Sequence, residues 1–147
     1  MICYFDTSAF VPLLIDEPAS AACRQLWEEA DDVLSTQLLY VETAAALAQA
    51  ARCDRITADQ QARALRVARR LCRELNAVEP TQELISRAAD LASTEALRGY
   101  DAVHCATAEH VNERDLVFAS GDRQQLKAGV NLGFYVADVN DPAFVRG

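Results

Sequence analysis

The chain has 147 residues, 51% of them hydrophobic, which fits one domain over residues 1–147 with a core of its own. Its five cysteines are odd in number, widely spaced and without a C-x-x-C pair, so they argue against a disulfide framework or zinc site and favour core positions. The net charge of −8 disfavours nucleic acid, but residues 52–73 carry seven arginines against two aspartates.

The N-terminal segment predicts a buried strand rather than a targeting signal. Residues 2–5 are a continuous apolar run, and no basic stretch followed by a long apolar run precedes it. No apolar run in the chain approaches the roughly 20 residues that span a bilayer. We therefore expect a cytoplasmic protein with no membrane segment.

Short apolar runs alternate with helical patterns along the rest of the chain. Thr7 or Ser8 is expected to cap the first helix, and Ser35 or Thr36 the third. Gly99 is expected to end the helix that precedes this glycine. This alternation predicts an α/β fold with a parallel sheet. The predicted strands are 2–5, 33–34, 78–79, 116–118 and 134–136. A first helix is predicted after Asp6, with Pro12 near its first turn, and the further predicted helices are 19–29, 37–51, 57–75, 81–97, 101–113 and 122–129.

Two carboxylates follow predicted strands. Asp6 comes directly after strand 2–5, and Asp122 follows strand 116–118 by four residues. Ligands of parallel α/β sheets bind beyond the carboxyl ends of the strands. If these two strands are neighbours, the carboxylates converge there. The simpler interpretation of each, taken alone, is a helix cap.

Two further carboxylates lie on predicted helices. Glu42 borders an apolar stripe, and Asp101 lies at the start of a helix, where capping is its simplest role. Oxygen ligands suit Mg²⁺, and a pair of such ions about 4 Å apart can promote phosphodiester hydrolysis. Four converging carboxylates would repel one another without a cation, which predicts metal dependence and weaker activity in mildly acidic buffer. The predicted stripe beside Glu42 consists of Leu38, Val41, Ala45 and Ala48.

Four segments in this order resemble the motifs of the PIN-domain nucleases, and they cover nearly the whole chain. The third is the most specific, and a compact domain that starts almost at residue 1 is similar to the toxin of a VapBC-type toxin–antitoxin pair. One departure from many relatives is Pro12 in the first helix. The segments are FDTSA at 5–9, VE at 41–42, GYDAVHCATA at 99–108 and FASGD at 118–122.

The resemblance implies a three-layer α/β/α sandwich with a mainly parallel sheet. It implies a Mg²⁺- or Mn²⁺-dependent endoribonuclease acting on tRNA or rRNA, a homodimer, and an antitoxin that inserts a segment near the acidic pocket. Asp6 and Asp101 become direct metal ligands, with Glu42 and Asp122 binding directly or through water. The hydroxyls expected to orient these carboxylates or water are those of Thr7, Ser8 and Ser120.

An arginine stripe, defined as Arg63, Arg66, Arg70 and Arg73, follows helical spacing. We expect it to face outward from a helix whose other face carries leucines. It could contact RNA phosphates, face an antitoxin, or be a solvated face that balances the acidic remainder.

His104 lies one helical turn after Asp101, and we expect it to pack or to orient a neighbour, because a Mg²⁺ mechanism needs no imidazole base.

Other classes of Mg²⁺ enzyme fit the sequence less well. A dehalogenase-type phosphatase would need an aspartate where Ser8 stands, and no phosphate-binding G-x-x-x-x-G-K-[ST] motif is present. The remaining alternative is a PIN fold that binds RNA or protein without cutting.

Overall fold

The computed structural model describes residues 1–112, 115–141 and 143. Within these ranges, two helices follow each of the first three strands and one helix follows the fourth, with a short 3₁₀ turn at Val11–Leu13 after the first helix. The strands are β1 (Ile2–Phe5), β2 (Asp32–Thr36), β3 (Asn76–Val78), β4 (Leu116–Ser120) and β5 (Tyr135–Asp138). The helices are α1 (Thr7–Phe10), α2 (Ser20–Glu29), α3 (Leu39–Arg52), α4 (Ala58–Glu74), α5 (Gln82–Thr94), α6 (Gly99–His110) and α7 (Arg123–Asn131).

The strands form one sheet in the order β3-β2-β1-β4-β5, and every pairing is parallel. The register places Phe5 of β1 opposite Ala119 of β4. The residues that follow these two positions, Asp6 and Ser120, therefore leave the central strands side by side. The carboxyl edge of the sheet is thus the place where the expected site can form.

Helices cover both faces of the sheet, which confirms the α/β/α sandwich. Alternate residues of β1 point to opposite faces, so Cys3 and Phe5 join one core with α2 and α4. Tyr4 joins the other core with residues of α5, α6 and α7. Both faces of the central strands are buried, which explains why β1 is a continuous apolar run.

The predicted start and apolar stripe of α3 are wrong. Ser35 and Thr36 belong to β2, and the helix begins only at Leu39. Val41, expected in the stripe, is 51% exposed. Alanine fits either face of a helix, so the Ala-rich pattern gave little information about the buried side. The residues of α3 that are buried are Leu39, Thr43, Leu47 and Ala50.

The boundary between α5 and α6 also differs from the prediction. Gly99 does not end a helix but begins α6, and the turn before it contains Ala96 with a φ of 53°. The N-cap of α6 is Arg98, so Asp101 is the third helical residue rather than the cap. A carboxylate in the first turn still interacts favourably with the helix dipole. The predicted end at Glu113 lies outside the described residues.

The cysteines divide into two groups. Cys3, Cys23 and Cys105 are buried as expected, and burial raises the pKa of each thiol to about 12. Cys72 is half-buried and packs against the edge of the core, whereas Cys53 is exposed, so core filling is the wrong interpretation for Cys53. The described part of the chain contains no helix long and apolar enough to cross a membrane.

Candidate active site

Asp6 occupies the junction between β1 and α1, and its side chain is 0% exposed. It is the N-cap of α1, a role expected for Thr7 or Ser8, and its Oδ1 accepts from the Ala9 amide at 2.9 Å. The Ser8 hydroxyl donates to the same oxygen at 2.7 Å, and the Ser120 hydroxyl donates to Oδ2 at 2.5 Å. Both carboxylate oxygens are therefore held by donors of the chain itself.

The two serines also fix the loop after β4. Ser8 Oγ accepts from the Gly121 amide at 2.8 Å, and Ser120 Oγ accepts from the Asp122 amide at 3.0 Å. A Cβ atom on Gly121 would lie 3.0 Å from Nδ2 of Asn140, so this side chain would have to shift to accept a larger residue. The serines thus link the buried carboxylate of Asp6 to the backbone that carries Asp122.

Asp122 and Asp101 are joined through the first turn of α7. Asp122 caps this helix by accepting from the amides of Gln124 at 2.8 Å and Gln125 at 3.1 Å. The Gln125 side chain, only 3% exposed, donates from Nε2 to Asp101 Oδ1 at 3.1 Å. One helix start therefore positions a carboxylate of its own and a carboxylate of α6.

Asp101 and Asp122 line an open pocket of about 400 Å³ at the carboxyl edge of the sheet. Glu17 adds a third carboxylate to its lining, and no lysine or arginine is among its lining residues. Asp6 lies buried beside this pocket, where its hydrogen-bond partner Ser8 forms part of the wall. The lining of the pocket therefore combines several negative charges and contains no basic side chain.

Glu42 takes a different position from the three aspartates. Its Oε1 lies 2.8 Å from Nε2 of His104, and its side chain is 13% exposed. Thr7, expected to orient a carboxylate, instead places its Oγ1 3.1 Å from the same imidazole nitrogen. The expected quartet thus consists of two pocket carboxylates, one buried carboxylate and one that is paired with a histidine.

Two of these carboxyl groups have shifted pKa values. Burial raises the pKa of Asp6, although His104, Ser120, Ser8 and the Ala9 amide oppose the shift. Burial also raises the pKa of Asp101, and the negative charge of Asp122 raises it further. Both shifts mean that ionising the site costs free energy, which a bound cation would offset.

The donor set fits a hard divalent cation by its chemistry. The polar lining offers carboxylate, hydroxyl and amide oxygens, the ligands that Mg²⁺ prefers, and its charged side chains are all acidic. Within the residues that the structure describes, no three His, Cys, Asp or Glu side chains are already arranged to hold an ion. The fit therefore rests on donor type and charge rather than on a preformed cage.

The arginine stripe is exposed on α4, as expected, and the opposite face of this helix is buried at Ala64 and Ala68. None of its four members lines the acidic pocket. Arg63 instead lines a separate cavity of about 370 Å³ together with Arg55 and Asp16. The structure therefore does not bring the stripe into the pocket.

Sequence reasoning missed several residues that shape the site. Gln125 could have been found from its position three residues after Asp122, where the two share the first turn of a helix. Glu17 and Asn140 carry no local signal, because each reaches the pocket from an irregular segment. The sequence indicates only a packing role for Tyr4, and the structure shows that its hydroxyl lies 2.9 Å from Nδ1 of His104.

Asp101 should make the metal-free stability depend on pH. Its raised pKa means that the folded chain holds this proton more tightly than the unfolded chain, whose carboxyl titrates near about 3.9. Its contribution to stability is therefore lost as pH rises from about 4 through the folded pKa. We predict that the unfolding free energy of Asp101→Asn, relative to that of wild type, increases with pH over this window. Above the folded pKa the difference should become constant.

Urea unfolding in EDTA at a series of pH values measures this difference. Asp90→Asn, a matched change at an exposed position of α5, should show a difference that hardly varies with pH. A pH-independent difference for Asp101→Asn would contradict the prediction.

Comparisons with known proteins agree with this architecture. The PIN domain family model matches residues 3–130, a range that contains all four predicted carboxylates. Ribonuclease VapC45 of Mycobacterium tuberculosis (strain CDC 1551 / Oshkosh) and Ribonuclease VapC49 of Mycobacterium tuberculosis (strain ATCC 25618 / H37Rv) are each 43% identical over 121 residues, 82% of this chain and 84% of the relative.

A solved structure shares the fold. The crystal structure of PAE2754 from Pyrobaculum aerophilum aligns with a TM-score of 0.66 and covers 99% of this chain and 97% of that chain. The two chains are 24% identical, so this likeness concerns the fold alone. Because the family model covers most of the chain and the ribonuclease relatives are closely similar, the chain belongs to the PIN domain family.

Proposed function

We propose that this chain is a Mg²⁺- or Mn²⁺-dependent endoribonuclease, the toxin of a toxin–antitoxin pair, which hydrolyses phosphodiester bonds in tRNA or rRNA. The observation that carries the proposal is the pocket in which Asp101 and Asp122 meet without any basic lining residue. Family membership and the ribonuclease relatives support it. Its place of action would be the cytoplasm, where these RNAs occur.

Asp101 and Asp122 line the pocket and would hold the ion there. Asp6, which the resemblance makes a direct ligand, is buried beside the pocket, so it would join the ion, as Glu42 would, directly or through water. A bound divalent ion supplies a more acidic water and stabilises charge on the phosphate. Asp6 provides negative charge from a dry position, where interactions are weakly screened. Ser8, Ser120 and Gln125 keep the carboxylates in place, so little reorganisation is needed during the reaction.

RNA cleavage with and without the pocket carboxylate tests this function. We predict that purified protein cuts total RNA into discrete products with Mg²⁺ or Mn²⁺, and that EDTA abolishes the cleavage. Asp101→Asn should lower the rate by about 100-fold or more, because metal assistance contributes several kcal/mol to such barriers. Product formation is followed on denaturing gels.

Asp90→Asn serves as the matched control and should cleave like wild type. Cleavage that survives Asp101→Asn would contradict the assignment of the site. RNA binding by folded protein without cleavage in Mn²⁺, over a range of RNAs, would favour the alternative of a PIN fold that only binds RNA or protein.

The arginine stripe is proposed as a phosphate-binding surface for the RNA. Its exposure on α4 and the fork geometry of arginine support this role. We predict that changing Arg66 and Arg70 to Glu weakens RNA binding. Each lost phosphate contact should reduce the slope of log affinity against log salt by about 0.7 for a single strand.

Fluorescence anisotropy with labelled RNA over a salt series measures the effect. Lys127→Glu reverses an exposed basic side chain of α7, outside the stripe, and should leave the slope unchanged. An unchanged slope in the Arg66/Arg70 variant would leave the stripe as an antitoxin-facing or solvated surface.

The proposed antitoxin would inhibit the enzyme by inserting a segment near the acidic pocket. The opening of this pocket to solvent beside Asp101 and Asp122 supports such access. A basic side chain inserted there would balance the local negative charge and compete with the metal ion.

A homodimer is also proposed, with its contact at an apolar groove between α5 and α6. Leu38, Ile85 and Tyr100 line this groove of about 380 Å³. Ile85 is 40% and Tyr100 50% exposed, and exposed Val41 lies one turn after Leu38. An exposed apolar patch of this kind is typical of a protein contact.

Sedimentation equilibrium tests the dimer contact. We predict that Ile85→Glu weakens dimerisation by about 10-fold or more, because it places a charge in a desolvated contact. Val130→Glu, on the 59%-exposed Val130 of α7 outside the groove, should leave the association unchanged. Equal association of both variants would contradict the assignment.

A further inference from the structure

His104 has hydrogen-bond partners at both ring nitrogens although it is 0% exposed. Its Nδ1 lies 2.9 Å from the Tyr4 hydroxyl, and its Nε2 lies 2.8 Å from Glu42 and 3.1 Å from Thr7. The ring thereby connects β1, α3 and α6. These elements carry or adjoin three of the four carboxylates of the proposed site.

The chemistry of the partners decides where the hydrogens lie. An ionised carboxylate can only accept, so the contact with Glu42 requires a hydrogen on Nε2 of His104. The hydrogen between Nδ1 and the Tyr4 hydroxyl then lies on the oxygen in the neutral ring and on Nδ1 in the imidazolium, and the contact with Glu42 is the same in both. The longer contact from Nε2 to Thr7 shares the same hydrogen as a weaker second partner.

We propose that His104 is a positioning residue for Glu42, and that Tyr4 fixes the ring in the orientation that this role needs. The inference rests on the proposed function, in which Glu42 belongs to the metal-binding quartet. Among the described side chains, His104 is the only one that donates a hydrogen bond to the Glu42 carboxylate. A hydrogen-bonded second layer of this kind commonly orients metal ligands.

Packing alone does not explain a histidine at this position. The ring meets Tyr4 edge-on with 5.8 Å between centroids, a contact that an apolar side chain of similar size could also make. Such a side chain would leave the buried Tyr4 hydroxyl and the Glu42 carboxylate without this partner. The two polar contacts are therefore what the histidine adds to the core.

Two variants separate positioning from packing. The amide of His104→Gln reaches the former Nε2 position and can still donate to Glu42, whereas the shorter His104→Asn reaches only the former Nδ1 position. We expect His104→Asn to raise the Mn²⁺ concentration for half-maximal cleavage, and the dissociation constant from calorimetric Mn²⁺ titration, by about 10-fold or more. His104→Gln should recover most of this loss, and exposed His110→Asn should resemble wild type.

A mutant cycle tests whether His104 acts through Glu42. In a Glu42→Ala background, His104→Asn should cause no further loss of cleavage rate or Mn²⁺ affinity. The proposal would be overturned if the loss in the double variant were the product of the losses in the two single variants. It would also be overturned if His104→Gln and His104→Asn had equal effects. The proposed function is tested separately by the loss of cleavage in Asp101→Asn, and that result does not depend on the outcome for His104.

The wild-type protein provides a readout that requires neither metal nor a variant. A long-range ¹H–¹⁵N spectrum of the metal-free protein should show a hydrogen on Nε2 of His104. A spectrum in which Nε2 carries no hydrogen would overturn the proposal, because Glu42 would then have no donor from this ring.

Discussion

The buried carboxylate of Asp6 is the constraint on which the rest of the site depends. A carboxylate that is 0% exposed is costly unless donors surround it, and the chain supplies two serine hydroxyls and one backbone amide. Ser8 comes from the helix that Asp6 caps, and Ser120 comes from the neighbouring strand. Because the same hydroxyls also hold Gly121 and Asp122, stabilising one buried charge positions the next carboxylate.

The site concentrates negative charge at the expense of the metal-free fold. Burial raises the pKa of Asp6 and Asp101, and the charge of Asp122 adds to the shift at Asp101. Structural demands alone would favour neutral or paired groups here. Carboxylates retained in this way are typical of sites whose function needs the charge. Helix capping does not compete with this interpretation, since Asp122 caps α7 and also lines the pocket, and Asp6 caps α1 and lies buried beside the pocket.

Much of the fold was predictable because it depends on local rules. The apolar run of β1 and the amphipathic pattern of α4 gave elements close to those observed. Errors arose where local signals are weak. The alanines of α3 do not distinguish one helix face from another, and the turn before α6 uses Ala96 rather than Gly99.

The sequence by itself determined the α/β alternation, the four candidate carboxylates and the family resemblance, because these depend on residue type and spacing. Only the tertiary structure decided how the carboxylates differ, since that depends on neighbours from distant elements. Strand pairing brought Ser120 to Asp6, helix packing brought Gln125 to Asp101, and the α6 ring of His104 met Glu42 from α3. The physical reason is that burial and hydrogen-bond partners, which set the charge state and position of a carboxylate, exist only once the chain has packed.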